Sequence, residues 1–205
     1  MNLNYWENYY KANHEPFPPS SFSQFILRYI NEDESIIDLG CGNGRDSLFF
    51  KKFLYVVGMD QCSDQIFRLK KHEDHRCKFI VDDFVNIKTP LPRMDHAYSR
   101  FTLHAITEAA ENHVLNWVFE NRFKYFFIEA RSDKEEITGV VSDHYRRFIN
   151  INKILLKLLN IGFDIEYAEV AKGFSKYQTV YQKNYIDDPT LIRIVAKLGD
   201  SKKVD

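Results

Sequence analysis

Ile36-Ile37-Asp38-Leu39-Gly40-Cys41-Gly42-Asn43-Gly44 is the stretch whose reading decides the fold. Apolar β-branched residues run straight into three glycines at alternate positions. The pattern predicts a buried strand that ends in a tight turn and opens a helix. Glycine permits positive φ and leaves no Cβ between the backbone and a ligand. Asp38 places a carboxylate at the end of that strand, where it repels a phosphate and suits a cationic ligand. The competing motif is the dinucleotide fingerprint Gly-x-Gly-x-x-Gly. Here the third glycine, Gly44, comes one residue early and Arg45 follows. Asp60, in Val56-Val57-Gly58-Met59-Asp60, can hold a ribose in either cofactor class. The carboxylate ahead of the first glycine decides against NAD. A strand-turn-helix without any ligand is the plain alternative, and the ordered companions of the motif argue against it.

Those companions give the chain a family likeness. Asp38-Leu39-Gly40-Cys41-Gly42-Asn43-Gly44 resembles the first motif of the class I S-adenosylmethionine-dependent methyltransferases. Gly58-Met59-Asp60 resembles the second, with Asp60 lying 22 residues after Asp38. Val81-Asp82-Asp83-Phe84 resembles the third, and Met94 to Phe101 the fourth strand and the segment after it. The likeness covers residues 36 to about 130. It implies an α/β, Rossmann-like three-layer sandwich with a seven-stranded, mostly parallel sheet whose last strand is antiparallel. The implied cofactor is S-adenosyl-L-methionine, held across Asp38, Gly40, Cys41, Gly42, Arg45, Asp60, Gln61, Asp83, Phe84 and Ser99.

Composition bounds the rest. The 205 residues fit one α/β domain, and a 44% hydrophobic share suffices for its core. A net charge of -1 with scattered basic residues predicts no nucleic-acid footprint. No apolar run approaches the roughly 20 residues of a membrane span. The polar and aromatic start, Met1 to Tyr10, is unlike a secretory signal. Cys41, Cys62 and Cys77 show no Cys-x-x-Cys spacing, so the expected location is the reducing cytoplasm. No metal site is expected, and the sequence is silent on oligomeric state.

The chain divides into an N-terminal extension, 1–34, and a methyltransferase domain, 35–205. Within the extension, Tyr5 to Tyr10 precede Pro16, Pro18 and Pro19. Ser20 or Ser21 then looks like an N-cap. The extension is either a helix covering the sheet or a lid whose aromatics, Tyr10 among them, close over cofactor and acceptor. After it, strands are expected at 36–39, 55–60, 78–81, 95–100, 124–130 and 163–170, with a last apolar run at 191–196. Helices are expected at 45–53, 64–71, 108–119 and 145–160, with Gly162 as a cap. Strand and helix in alternation argue a parallel sheet covered on both faces.

Methyl transfer from a sulfonium is an in-line displacement that needs alignment and a dry site. Asp60 can accept both ribose hydroxyls, and Gln61 and Cys62 flank the adenine. Asp83 can accept the adenine amino proton, with Asp82 as its rival, because alternation sends the two side chains to opposite faces. Arg45 can reach the methionine carboxylate, an anionic acceptor or an outside salt bridge. Cys41 is read as a small packing residue of the loop. On the acceptor side, His104 and Arg100 follow a strand end, where open α/β sheets place their sites. His104 is the candidate general base and Arg100 its catalytic companion. Arg131, His144, Tyr145, Arg146 and Arg147, with Tyr10, form the expected acceptor pocket, the arginines suiting phosphate or carboxylate oxygens.

DNA amino-methyltransferases carry Asn/Asp-Pro-Pro-aromatic after the fourth strand, and this chain does not. The combination of Arg100-Phe101, Leu103-His104, Glu129, Arg131-Ser132 and His144-Tyr145-Arg146-Arg147-Phe148 is similar to methyltransferases of bacterial surface-polysaccharide biosynthesis. That likeness implies a small anionic acceptor: a sugar, a nucleotide-linked precursor or a phosphoramidate-type capsule precursor, methylated on oxygen. The alternatives are N-methylation of a small molecule and a cofactor-binding partner subunit without activity of its own.

Overall fold

Ile36, Ile37 and Leu39 are all fully buried, so the first strand has no solvent face. That is how a strand inside a parallel sheet reads: a continuous apolar run rather than an alternation. The computed structural model describes residues 3–134, 145–178 and 186–199. In chain order its elements are α1 (Leu3–Ala12), α2 (Ser21–Ile26), β1 (Ser35–Leu39), α3 (Arg45–Phe50), β2 (Tyr55–Asp60), α4 (Ser63–Leu69), β3 (Cys77–Val81), β4 (His96–Arg100), α5 (Glu108–Glu120), β5 (Tyr125–Arg131), α6 (Ile151–Ile161), β6 (Phe163–Ala171), the short pair β7 (Tyr177–Gln178) and β8 (Ile186–Asp187), and β9 (Leu191–Leu198).

The main sheet has the order β3-β2-β1-β4-β5-β9-β6. The first five strands pair in parallel, and β9 runs antiparallel between β5 and β6. The expected sheet, with its reversed last strand, is the one observed. The chain works outward from β1 to β3, then returns to β4 on the other side of β1. That reversal opens a crevice beyond the carboxyl ends of β1 and β4, the usual ligand position in such sheets.

Helices cover both faces. On one, Val114, Leu115 and Val118 of α5 and Ile154 and Leu158 of α6 pack with Ile37, Met59, Phe126 and Ile128. On the other, Phe22 and Ile26 of α2, Phe50 of α3 and Ile66 of α4 pack with Ile36, Val56, Tyr98 and Phe127. The extension is therefore two different things. Phe22 and Ile26 make α2 part of the core, whereas α1 buries no residue completely and rests on α4. Ser20 is the N-cap of α2, accepting from Ser23 N at 3.0 Å.

One helix differs from the reading. A start at 145 was expected for α6, and it starts at Ile151 behind an Asn150 cap that accepts from Lys153 N at 3.1 Å. The six residues before it are drawn out by pairing. Arg147 N donates to His104 O at 2.9 Å, and Ile149 N donates to Arg131 O at 2.9 Å. Backbone bonds to distant segments thus replace the first helical turns. Similarly, α3 stops at Phe50 where the pattern carried it to residue 53. Gly162 caps α6 with φ 109, as expected. Among the described residues, no helix is long and apolar enough to cross a membrane.

Candidate active site

The glycine loop is pinned to the neighbouring strand. Gly40 N and Cys41 N both donate to Met59 O at 2.8 Å. Gly42 has φ +54, and a Cβ there would stand 2.2 Å from the hydroxyl oxygen of Tyr10. Gly40 has φ +79, and its Cβ would meet Thr102 Cγ2 at 2.4 Å and lie 3.6 Å from Phe84. These positions exclude side chains for two reasons, backbone conformation and close approach. The second reason shows what surrounds the loop: Tyr10 above it, and Thr102 and Phe84 at its flank.

Four carboxylates belong to β1, β2 and the segment after β3, and each is held differently. Asp60 accepts from Gly42 N at 3.0 Å and from Cys62 N at 2.9 Å. It ties the loop to the start of α4, and burial pushes its carboxyl up. Asp38 is buried, with Ser47 Oγ donating to it at 2.6 Å. Burial first and the nearby Asp46 second push its carboxyl up to about 7. A cation brought against such a group favours its ionised form. Asp82 and Asp83 follow the end of β3 and differ in their bonds. Asp82 accepts from Asp83 N, Lys88 N and Thr89 N at 2.7–2.9 Å and so builds the following loop. Asp83 accepts one backbone bond, from Val85 N at 3.0 Å. Asp83 therefore keeps acceptor capacity that Asp82 has spent.

Glycines without Cβ atoms, carboxylates at and just beyond the ends of β2 and β3, and an Asp38 that a cation would hold ionised fit an adenosine-bearing cation. Cys41 is a poor nucleophile here. Burial, with Asp38 and Asp60 adding to it, pushes its thiol well up. Ser99 is buried and its hydroxyl pairs with Thr102 Oγ1 at 2.5 Å. Gln61 lies between Asp60 and Cys62 at the turn into α4, partly exposed.

The segment joining α1 to α2 is strapped across this loop. Asn43 Nδ2 donates to Glu15 O at 2.8 Å, and Gln65 Nε2 to His14 O at 3.0 Å. Arg45 donates from Nε at 3.0 Å and from Nη2 at 2.5 Å to Pro18 O. The expected partner of Arg45 was a carboxylate of cofactor or acceptor, but its guanidinium serves the strap. Asp46 accepts from Ser20 N at 2.8 Å and Ser20 Oγ at 2.9 Å.

Asp46 also reaches β4, where Tyr98 Oη donates to it at 2.8 Å. Beside it, Arg100 Nε donates to Glu129 at 2.9 Å, and Arg193 Nε donates to the other Glu129 oxygen at 2.6 Å. Arg100 and Arg193 continue to Ser175 Oγ at 3.0 Å and Ser21 Oγ at 2.7 Å. This row of buried charge crosses the carboxyl ends of β4 and β5 and enters β9. Arg193, Tyr98 and Asp46 were not among the predicted site residues. Arg193 left one signal: it interrupts the apolar run from Leu191 to Ala196.

The remaining candidates separate. His104 is 4% exposed, and its Nδ1 accepts from Arg131 N at 3.2 Å. In a neutral imidazole the acceptor nitrogen is the basic one. The lone pair expected to act as general base is thus engaged in holding β5. Arg147 donates to Ile106 O at 2.8 Å and Leu103 O at 3.2 Å, and pairs with Glu111. Its place in an anion pocket is corrected: carbonyls and a carboxylate take its guanidinium, which braces the 103–106 turn against α5. Arg131 pairs with Asp187 at 2.5 Å. Tyr145 is half exposed and Arg146 partly buried. His144 lies outside the described residues.

Residues 36–120 match the family model described as a methyltransferase domain. No curated protein matches the chain significantly. A solved S-adenosylmethionine-dependent methyltransferase from Methanosarcina mazei is similar at 17% identity and a TM-score of 0.68, over 91% of this chain and 100% of that one. The 1,6-didemethyltoxoflavin-N1-methyltransferase of Burkholderia thailandensis, solved with its toxoflavin precursor and S-adenosylhomocysteine, is similar at 14% identity and a TM-score of 0.68, over 87% and 77%. The (4+2)-cyclase SpnF is similar at 14% identity and 0.67, over 86% and 80%. These likenesses carry the fold. The matched segment, from β1 to the end of α5, contains the glycine loop, Asp60 and Asp83. Residues 36–120 thus carry a methyltransferase domain, and the whole chain has the fold of the S-adenosylmethionine-dependent methyltransferases it is similar to.

Proposed function

We propose that this enzyme methylates a small-molecule acceptor bound beyond the carboxyl ends of β4 and β5, and that it works by positioning rather than by base catalysis. The observation that carries this reading is the engaged Nδ1 of His104. With that lone pair holding Arg131 N, the acceptor brings its own nucleophile: an ionised oxygen or a neutral amine. S-adenosylmethionine supplies an electrophilic methyl on a sulfonium. The chain's share is to fix the geometry and exclude water, and alignment alone is worth about 7–11 kcal/mol in favourable cases. Asp60 and Asp83 are the groups for the adenosine half, and Asp38 faces the cationic half.

Anionic capsule precursors, such as sugars, nucleotide-linked intermediates and phosphoramidate-type groups, are the first acceptors to test, with oxygen as the first atom. N-methylation is the second reading. It draws on the same engaged imidazole and parallels the Burkholderia N1-methyltransferase. The absence of Asn/Asp-Pro-Pro-aromatic after β4 speaks against nucleic-acid bases. Three buried thiols without a disulfide suit a reducing cytoplasm.

We also assign α1 as the lid, with α2 staying in the core. Tyr10 fills the space over Gly42 that a bound cofactor needs, so α1 moves when cofactor binds. Incubating the purified chain with isotopically methyl-labelled S-adenosylmethionine and the acceptor panel tests the whole reading. Label transfer to a sugar oxygen or an amine is expected. Cofactor binding without transfer to any acceptor would identify a non-catalytic partner subunit instead.

A further inference from the structure

Outside the cofactor crevice, a cavity of about 240 Å³ lies between the strap and the last turn of α4. His14 and Glu15 line it from the strap, and Arg68, Lys71 and His72 from the helix end. Two buried ring nitrogens of this group, His14 Nδ1 and His72 Nε2, have no hydrogen-bond partner in the protein. Buried polar atoms in native proteins nearly always have one, from protein or from a bound species. Neither Arg68 nor Lys71 pairs with a carboxylate among the described residues. Glu15 is the one carboxylate of the lining, with its side chain 69% exposed and its oxygen 3.5 Å from His14 Nε2.

We propose that this cavity binds a small phosphate-type anion, and that the anion ties the strap to α4. Two cations and two imidazoles offer donors around one half-open space, which is the chemistry that recognises a phosphate group. The same cations repel a metal ion from the imidazoles. S-adenosylmethionine carries no phosphate and a positive sulfonium, so this is not a second face of its site. The volume is below the ~300–1,000 Å³ of drug-sized ligand sites and far above the ~30 Å³ share of one water. It suits a phosphate group with a few waters.

The position gives the anion a consequence. His14 and Glu15 are also the residues whose carbonyls receive Gln65 and Asn43, and Asn43 belongs to the glycine loop. An anion that bridges His14 to Arg68 and His72 holds the strap down beside the cofactor loop. Phosphate would then tighten the closure of α1 that the cofactor must displace.

The test titrates purified full-length chain with inorganic phosphate and with glycerol phosphate, against chloride at matched ionic strength. Melting temperature and tryptic cleavage at Lys11 are the readouts. A saturable rise in melting temperature with slower cleavage is expected, absent in the Arg68→Ala/Lys71→Ala double variant. A stronger response to glycerol phosphate identifies a phosphomonoester metabolite as the source, and a stronger response to inorganic phosphate the free anion. Equal responses to chloride, or an undiminished response in the double variant, overturn the proposal and leave the cavity to water. Should the double variant not fold, His72→Gln replaces it, with about tenfold weaker phosphate binding expected. Unchanged affinity in that variant overturns the proposal too.

Discussion

The two proposed halves of the crevice, one for cofactor and one for acceptor, are built by different means. The cofactor half is assembled from neighbours in sequence: a strand, three glycines, and carboxylates at the ends of the next two strands. Its bonds are short-range or run between adjacent strands, such as Asp60 to Gly42 N and Cys62 N. The acceptor half is assembled from remote residues. Arg100, Glu129 and Arg193 lie on three strands, and the second bond joins residues 64 positions apart. The first half uses backbone and glycine. The second uses charge that is buried and mutually neutralised. A motif therefore suffices to suggest the cofactor half, whereas the proposed acceptor surface is visible only once the strands are in place.

The largest expected difference between the halves is in stability. Glu129→Ala strands two buried guanidinium groups, and breaking such a pair costs about 3–5 kcal/mol. Urea unfolding should show a midpoint shift of that size, with cofactor affinity of the folded fraction retained. A midpoint equal to the wild type would mean that Arg100 and Arg193 are solvated and that the acceptor half is not a closed charge network.

Next comes a pH effect from the cofactor half. The Asp38 carboxyl rises from an ordinary 3.8 to about 7 on folding. Between those values the native state holds a proton that the unfolded chain has released. Stability from this group is therefore complete below about pH 4 and is lost as pH rises through about 7. The shift corresponds to a contribution on the order of 2–4 kcal/mol. Asp38→Asn should flatten the wild-type decline across that window and leave the variant relatively more stable at alkaline pH. Parallel profiles for the two proteins would place the titration elsewhere.

Asp60→Ala should weaken S-adenosylmethionine binding by about 1–3 kcal/mol in calorimetry, the scale of a lost charged hydrogen bond. Tight NADH binding with no affinity for the methyl donor would overturn the cofactor assignment. The lid is tested on the same binding reaction. With Trp117 replaced, Trp6 fluorescence and protease sensitivity within residues 1–12 should change with cofactor, while α2 stays protected. An unchanged signal would make α1 a fixed cover.

The smallest effect is expected at His104. A glutamine oxygen can accept from Arg131 N as Nδ1 does, so His104→Gln should keep turnover within about tenfold and preserve the pH profile. A loss of roughly 10²–10⁴, the range for missing acid–base help, would restore His104 as the base.

Residues 36–60 carried their own structure. Apolar β-branched residues fed into glycines can form little other than a buried strand and a tight turn, so strand, loop and next carboxylate were legible in order. The sheet's reversed last strand was reached through the family likeness, since alternation alone does not order strands. Several side-chain roles depended on contacts that no local pattern encodes. Arg45 and Arg147 carry the charge of an anion pocket, but carbonyls of Pro18, Ile106 and Leu103 meet them first. The 145–150 segment has a helical pattern, yet pairing with Arg131 and His104 draws it out. Tyr10 is one aromatic among several in the sequence, and only the packed strap sets it over Gly42. Backbone conformation is governed by residues a few positions away, so sequence determined the strands, the glycine loop and the placing of carboxylates at their ends. The partner of a long charged side chain is whatever folding brings within its reach, so tertiary structure decided the buried network of Arg100, Glu129 and Arg193.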